Sequence, residues 1–102
     1  MSNIDKDNFS TANDYASDLI HIGSIHEKLQ QIDQANILWN QAIDIMKPVH
    51  LLEPNNKYYT TTLIYALVKA GNINQAKPLI LELNKSGFND SKYEQLLKKY
   101  NL

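Results

Sequence analysis

A short internal repeat constrains this chain more than any other feature of it. Gln31-Ile32-Asp33-Gln34-Ala35 and Asn72-Ile73-Asn74-Gln75-Ala76 are nearly the same segment, and their alanines stand 41 residues apart. Each copy lies at a turn between two stretches of helical periodicity. Units of roughly 20–50 residues that repeat in this way cannot bury an apolar face alone. They stack, and each covers its neighbour. The repeat therefore points to antiparallel helical hairpins in an all-α fold.

The apolar spacing predicts about five helices. Tyr15, Leu19, Ile22, His26 and Leu29 are spaced 4, 3, 4, 3, one stripe of a helix over about 11–29. Thr11 and Asp14 form a weak capping pair at its start, and residues 1–10 are expected to be a flexible tail. After a turn at Gln30-Gln31, Ile32, Ala35, Trp39, Ala42, Ile43 and Met46 mark helix two. Pro48 lies in its path, so this helix either stops near Met46 or kinks and runs on to Leu52. Asn55 and Asn56 belong to a loop. Helix three, about 57–69, carries Tyr59, Leu63, Ala66, Leu67 and Ala70 on one face. It contains Tyr58-Tyr59-Thr60-Thr61-Thr62, a β-prone run that the helical spacing overrides. Gly71-Asn72 make the next turn. Helix four, about 73–85, carries Ala76, Leu79, Ile80 and Leu83 and ends at Gly87. Its Pro78 is expected to sit early enough to cost little. Helix five, about 91–101, has Ser91 and Glu94 as a capping box and buries Tyr93, Leu96, Leu97 and Tyr100.

In this arrangement the chain resembles the tetratricopeptide repeat family, whose pattern is W-x2-L-G-x2-Y, A-x3-F and P. Leu19 stands for the Trp, Ile22-Gly23 for Leu-Gly, and His26 for the Tyr. Ala35-x3-Trp39 matches A-x3-F, with Ala42 as the small residue a turn later. In the second unit Leu63, Leu67, Ala76, Ile80 and Leu83 keep the apolar positions, and Ile64 replaces the packing glycine. The resemblance covers repeats at about 16–52 and 57–88. It makes 91–101 a capping helix and 11–102 one domain. The 41-residue period is longer than the family's, with the extra length around Pro48.

Composition narrows the functions. No cysteine is present, which removes disulfides, thiolate nucleophiles and cysteine zinc sites. Ten basic and eleven acidic residues lie in no block, so nucleic-acid binding is not expected. No apolar run approaches a membrane span, no secretory leader is visible, and the expected compartment is the cytoplasm. His21 and His26 are five residues apart and point to different helix faces, so no metal or other cofactor is expected. His26 is expected to be a half-buried structural residue. Asp14 and Asp18 lie on a solvated face. No phosphate-loop, HExxH or GxSxG motif occurs, and the chain is not expected to be an enzyme.

A binding surface is the favoured reading. The resemblance implies that the first helix of each hairpin lines a concave groove for a peptide. Helix one would contribute Ile20, Ser24, Glu27 and Lys28. Helix three would contribute Tyr58, Thr61, Tyr65, Val68 and Lys69. The Asn pair that clamps a terminal carboxylate in some members is missing, since Ile20, Ser24, Thr61 and Tyr65 occupy those places. The expected function is a protein- or peptide-binding adaptor. A small dedicated inhibitor or immunity-type protein is one alternative. A self-associating structural protein, a homodimer, is another.

Overall fold

Left-handed residues divide the chain where the sequence predicts turns. In the computed structural model, which describes residues 6–102, Gln30, Gly71 and Gly87 have φ of 62°, 85° and 78°. At each, the next amide reaches back to a carbonyl of the preceding helix: Gln31 to His26, Asn72 to Leu67 and Phe88 to Leu83. Gln30 and Gly71 are one repeat apart. Glycine adopts this conformation without strain, whereas glutamine pays about 1 kcal/mol. The five helices are α1 (Lys6–Lys28), α2 (Ile32–Leu52), α3 (Lys57–Lys69), α4 (Ile73–Lys85) and α5 (Ser91–Lys99). The fold is all-α, and no strand occurs among the described residues.

The first helix differs most from expectation. It begins at Lys6, not near Thr11, which lies inside it. Phe9 holds the added turn: it is buried, and its ring meets Tyr59 of α3 edge-on with centroids 6.5 Å apart. Residues 1–5 of the expected tail lie outside the described residues. The buried stripe is also rotated. Ala16, Leu19, Ile20 and Gly23 face the core, while Tyr15, Ile22 and Leu29 are 57%, 43% and 62% exposed. An i, i+3, i+4 ladder of larger residues was available on either flank. The small residues decided, because only Gly23 and Ala16 let α2 come close.

Trp39 fills that approach. Its Nε1–H donates to the Ile20 carbonyl at 3.2 Å, and a Cβ on Gly23 would lie 2.5 Å from Nε1. The buried indole therefore has its polar atom satisfied, as buried tryptophan requires. Helix α2 runs through Pro48 without ending. Pro48 cannot donate to the Asp44 carbonyl, and tertiary contacts carry the helix on. Val49 is buried, and His50 Nδ1 hydrogen-bonds Thr60 Oγ1 of α3 at 3.1 Å.

Helix α3 sits at the centre, packed against α1, α2, α4 and α5. It is accordingly buried nearly all round, through Leu63, Ile64, Ala66, Leu67 and Val68. Its threonine run is helical because tertiary packing overrides propensity: Thr60 and Thr62 are buried, and the hydroxyls of Thr60, Thr61 and Thr62 are satisfied by the carbonyls four residues back. Asn56 caps it by accepting from the amides of Tyr58 and Tyr59. Helix α4 starts at Ile73, so Pro78 lies beyond its first turn and cannot donate to the Asn74 carbonyl. The missing donor therefore does carry a cost. At α5 the cap is Asp90, which accepts from the Tyr93 amide, in place of the Ser91–Glu94 box. Tyr93 anchors α5: it is 1% exposed, and its hydroxyl donates to Asn84 Oδ1.

Candidate functional site

One flank of α1, one flank of α3 and the link between α4 and α5 enclose a groove of about 450 Å³. Helix α1 supplies Asn13, Ser17, Ile20, His21 and Ser24, spaced along one flank. Helix α3 supplies Tyr58, Thr61, Thr62, Tyr65 and Lys69, and Phe88, Asp90 and Lys92 close the far side. Six of the nine residues predicted for a binding face line this groove: Ile20, Ser24, Tyr58, Thr61, Tyr65 and Lys69.

Three do not. Val68 is 1% exposed and belongs to the core, because α3 buries the side that a terminal helix would leave open. Glu27 does not line the groove but accepts an ion pair from Lys69 Nζ at 3.5 Å. Lys28 is exposed and also lies outside it. Ile20, placed on the face as a contact residue, is buried and forms the floor. Its carbonyl accepts from both Ser24 Oγ and Trp39 Nε1.

The polar groups in the groove differ in what they have left to offer. Asn13 Oδ1 is buried and meets no donor among the described residues. Thr61 and Ser24 donate to backbone carbonyls and keep acceptor capacity. Tyr65 has its phenol pushed above the usual 10.0, first by burial and then by the neighbouring Asp90 carboxylate. It therefore stays a neutral donor. Lys69 also lies 5.8 Å from the centre of the Trp39 ring, which fixes its stem. The aromatic wall is continuous: Tyr58 meets Phe88 at 6.2 Å and Phe88 meets Tyr93 at 5.6 Å, both edge-on.

Apart from Thr62, a buried neighbour of Thr61 on α3, the residues missed from sequence fall in two groups. Asn13, Ser17 and His21 follow the same helical flank as Ser24, and a stripe centred on Ala16 would have found them. Phe88, Asp90 and Lys92 carry no local signal, since only the docking of α5 on α3 brings them there. The other histidines have structural partners: His26 Nδ1 lies 2.6 Å from Gln31 Oε1, and His50 pairs with Thr60. Among the described residues no three metal-ligating side chains converge, and no helix is long and apolar enough to cross a membrane. No family model, curated protein or solved structure matches this chain.

Proposed function

We propose that the protein is a non-catalytic binding module that takes a peptide segment of another protein into the groove between α1, α3 and the α4–α5 link. The observation that carries this reading is the lining itself. It combines an apolar floor at Ile20, an aromatic wall at Tyr58, Tyr65 and Phe88, and hydroxyls at Ser24 and Thr61 that keep acceptor capacity. An extended peptide offers backbone amides for those hydroxyls and side chains for an aromatic wall. Rigid tyrosines give large contact area at small entropic cost. The resemblance to tetratricopeptide hairpins, whose first helices line such a groove, supports the same reading.

Selection of a random peptide library on the immobilised protein tests it, with affinities of the selected peptides measured by fluorescence anisotropy. Tyr58→Ala and Tyr65→Ala should each weaken binding at least about tenfold, or ~1.4 kcal/mol. Lys69→Ala should weaken it too. Ile37→Ala, on the exposed outer side of α2, should leave it unchanged. Peptides that bind the three groove variants as well as the parent would sink the groove assignment.

A further inference from the structure

The flank of α1 and α2 that points away from α3 meets no other helix among the described residues. On α1 the groove flank holds Ile20 and Ser24, and the opposite flank carries Tyr15 and Ile22, with Ile25 beside them and Leu29 in the turn just past the helix end, each step of the ladder seven residues. On α2, His50 marks the flank facing α3. The opposite flank carries Leu38 and Ile45, half-buried against the core, and Leu52, which is 55% exposed, again seven apart. Single exposed apolar residues are ordinary, but apolar residues repeated at this spacing on adjacent helices concentrate exposed apolar surface on one flank.

We propose that this face pairs with a second copy of the chain, about a two-fold axis passing near Ile22. Two features of the molecule select that occupant. The ladder on α1 is symmetric about Ile22, so an antiparallel pair of α1 helices sets Ile22 against its own counterpart and Tyr15 against Leu29 of the other copy. Charge agrees with that direction. Asp14 and Asp18 are exposed on the N-terminal half of α1 and Lys28 on its C-terminal half. The antiparallel pairing brings Lys28 of one copy level with Ala16 of the other, between Asp14 and Asp18, whereas a parallel one sets like charges together. Size sets the strength of the pair. About Ile22 the two α1 helices overlap over residues 16–28, roughly 20 Å at 1.5 Å per residue, and with α2 about 10 Å away the shared face is on the order of 400 Å² per copy. Doubled, that lies below the roughly 1,200–2,000 Å² of stable specific interfaces, so the dimer is weak and concentration-dependent. Head-to-tail growth is disfavoured, because the last element, α5, turns Lys92, Glu94, Gln95, Lys98 and Lys99 outward. An apolar face that meets only its own copy closes as a dimer.

Sedimentation of the full chain from about 1 to 200 µM should show a reversible shift from the 11.7 kDa monomer to twice that mass. Ile22→Glu places a charge at an already exposed position. It should keep the helical circular dichroism and raise the dissociation constant at least tenfold. Asp18→Lys and Lys28→Glu should each weaken the dimer, and the two together should restore it. The chain has no cysteine, so Ile22→Cys gives a single thiol beside the axis. It should oxidise to a disulfide-linked dimer, while Leu81→Cys, exposed on α4, should not. A monomer throughout the concentration range, or a dimer that Ile22→Glu leaves intact, overturns the proposal. Because the face and the groove lie on opposite flanks of α1, Ile22→Glu should leave peptide binding unchanged, and Tyr65→Ala should leave the dimer unchanged.

Discussion

Trp39 is the residue through which three helices communicate. Its indole nitrogen reaches the α1 backbone, its ring lies against Gly23, and its face receives Lys69 from α3. Gly23 is the condition for this. Replacing it with alanine tests two opposed effects. Inside a helix alanine gains about 0.5–1 kcal/mol over glycine, but a Cβ 2.5 Å from a buried indole nitrogen forces the ring to shift. Overpacking of this kind costs about 1–3 kcal/mol. Gly23→Ala should therefore lower the urea midpoint, against the propensity, and a raised midpoint would show that the indole has room to move. The close approach also explains the rotated stripe of α1. Periodicity finds a helix, but it does not choose between two flanks of similar hydrophobicity, and the choice fell to the residue with no side chain.

Among the elements, α2 is the one in which local preference and tertiary packing disagree. Pro48 is exposed and interior to a continuous helix. Its ring deprives Asp44 of a hydrogen bond, yet the turns beyond it are held by Val49 and by the His50–Thr60 bond. A helical proline costs about 3 kcal/mol relative to alanine, partly offset by about 0.4–1 kcal/mol of lost freedom in the unfolded chain. Pro48→Ala should thus stabilise the protein by about 2–2.6 kcal/mol, raising Tm by roughly 8–20 °C for a domain of this size. A fall in Tm on calorimetric scanning would mean that Pro48 itself is what sets His50 against Thr60 of α3. Helices α3 and α4, by contrast, start and stop where their spacing and turns predict. Their ends are marked by residues that act alone: Asn56 as a cap and Gly71 and Gly87 as left-handed turns.

At the scale of the whole molecule, tyrosines guard the junction of α5 with the rest. Tyr65, Tyr93 and Tyr100 all have phenols held above the usual 10.0, each chiefly by burial, with Asp90 adding to the effect at Tyr65 and Glu27 at Tyr100. At Tyr100 the Lys99 charge works the other way. The sign follows from linkage. Below pH 10 these phenols are neutral in folded and unfolded chains, and their burial costs nothing in charge. Above it the unfolded chain releases protons that the folded one keeps, so stability falls as pH rises toward the folded values. Unfolding free energy should be flat from pH 7 to about 9 and decline above 10. Absorbance of tyrosinate at alkaline pH should lag behind that of the denatured chain. Equal titration of the two states would show that these rings are not held in the α5 junction.

The sequence by itself determined the number of helices, the hairpin order and most of the helix ends, because those depend on local chemistry: apolar period, caps and left-handed turns. Six of the nine residues predicted for a binding face do line the groove, since a helix flank is a local property once its direction is known. Tertiary structure decided the rest. It chose which flank of α1 is buried, through the fit of Trp39 against Gly23. It extended α1 to Lys6 through Phe9 on Tyr59, and it carried α2 past Pro48. It moved Val68 into the core by surrounding α3, and it brought Phe88, Asp90 and Lys92 to the groove by docking α5. In each case the deciding contact joins residues distant in the chain, so no window of neighbouring residues contains the information.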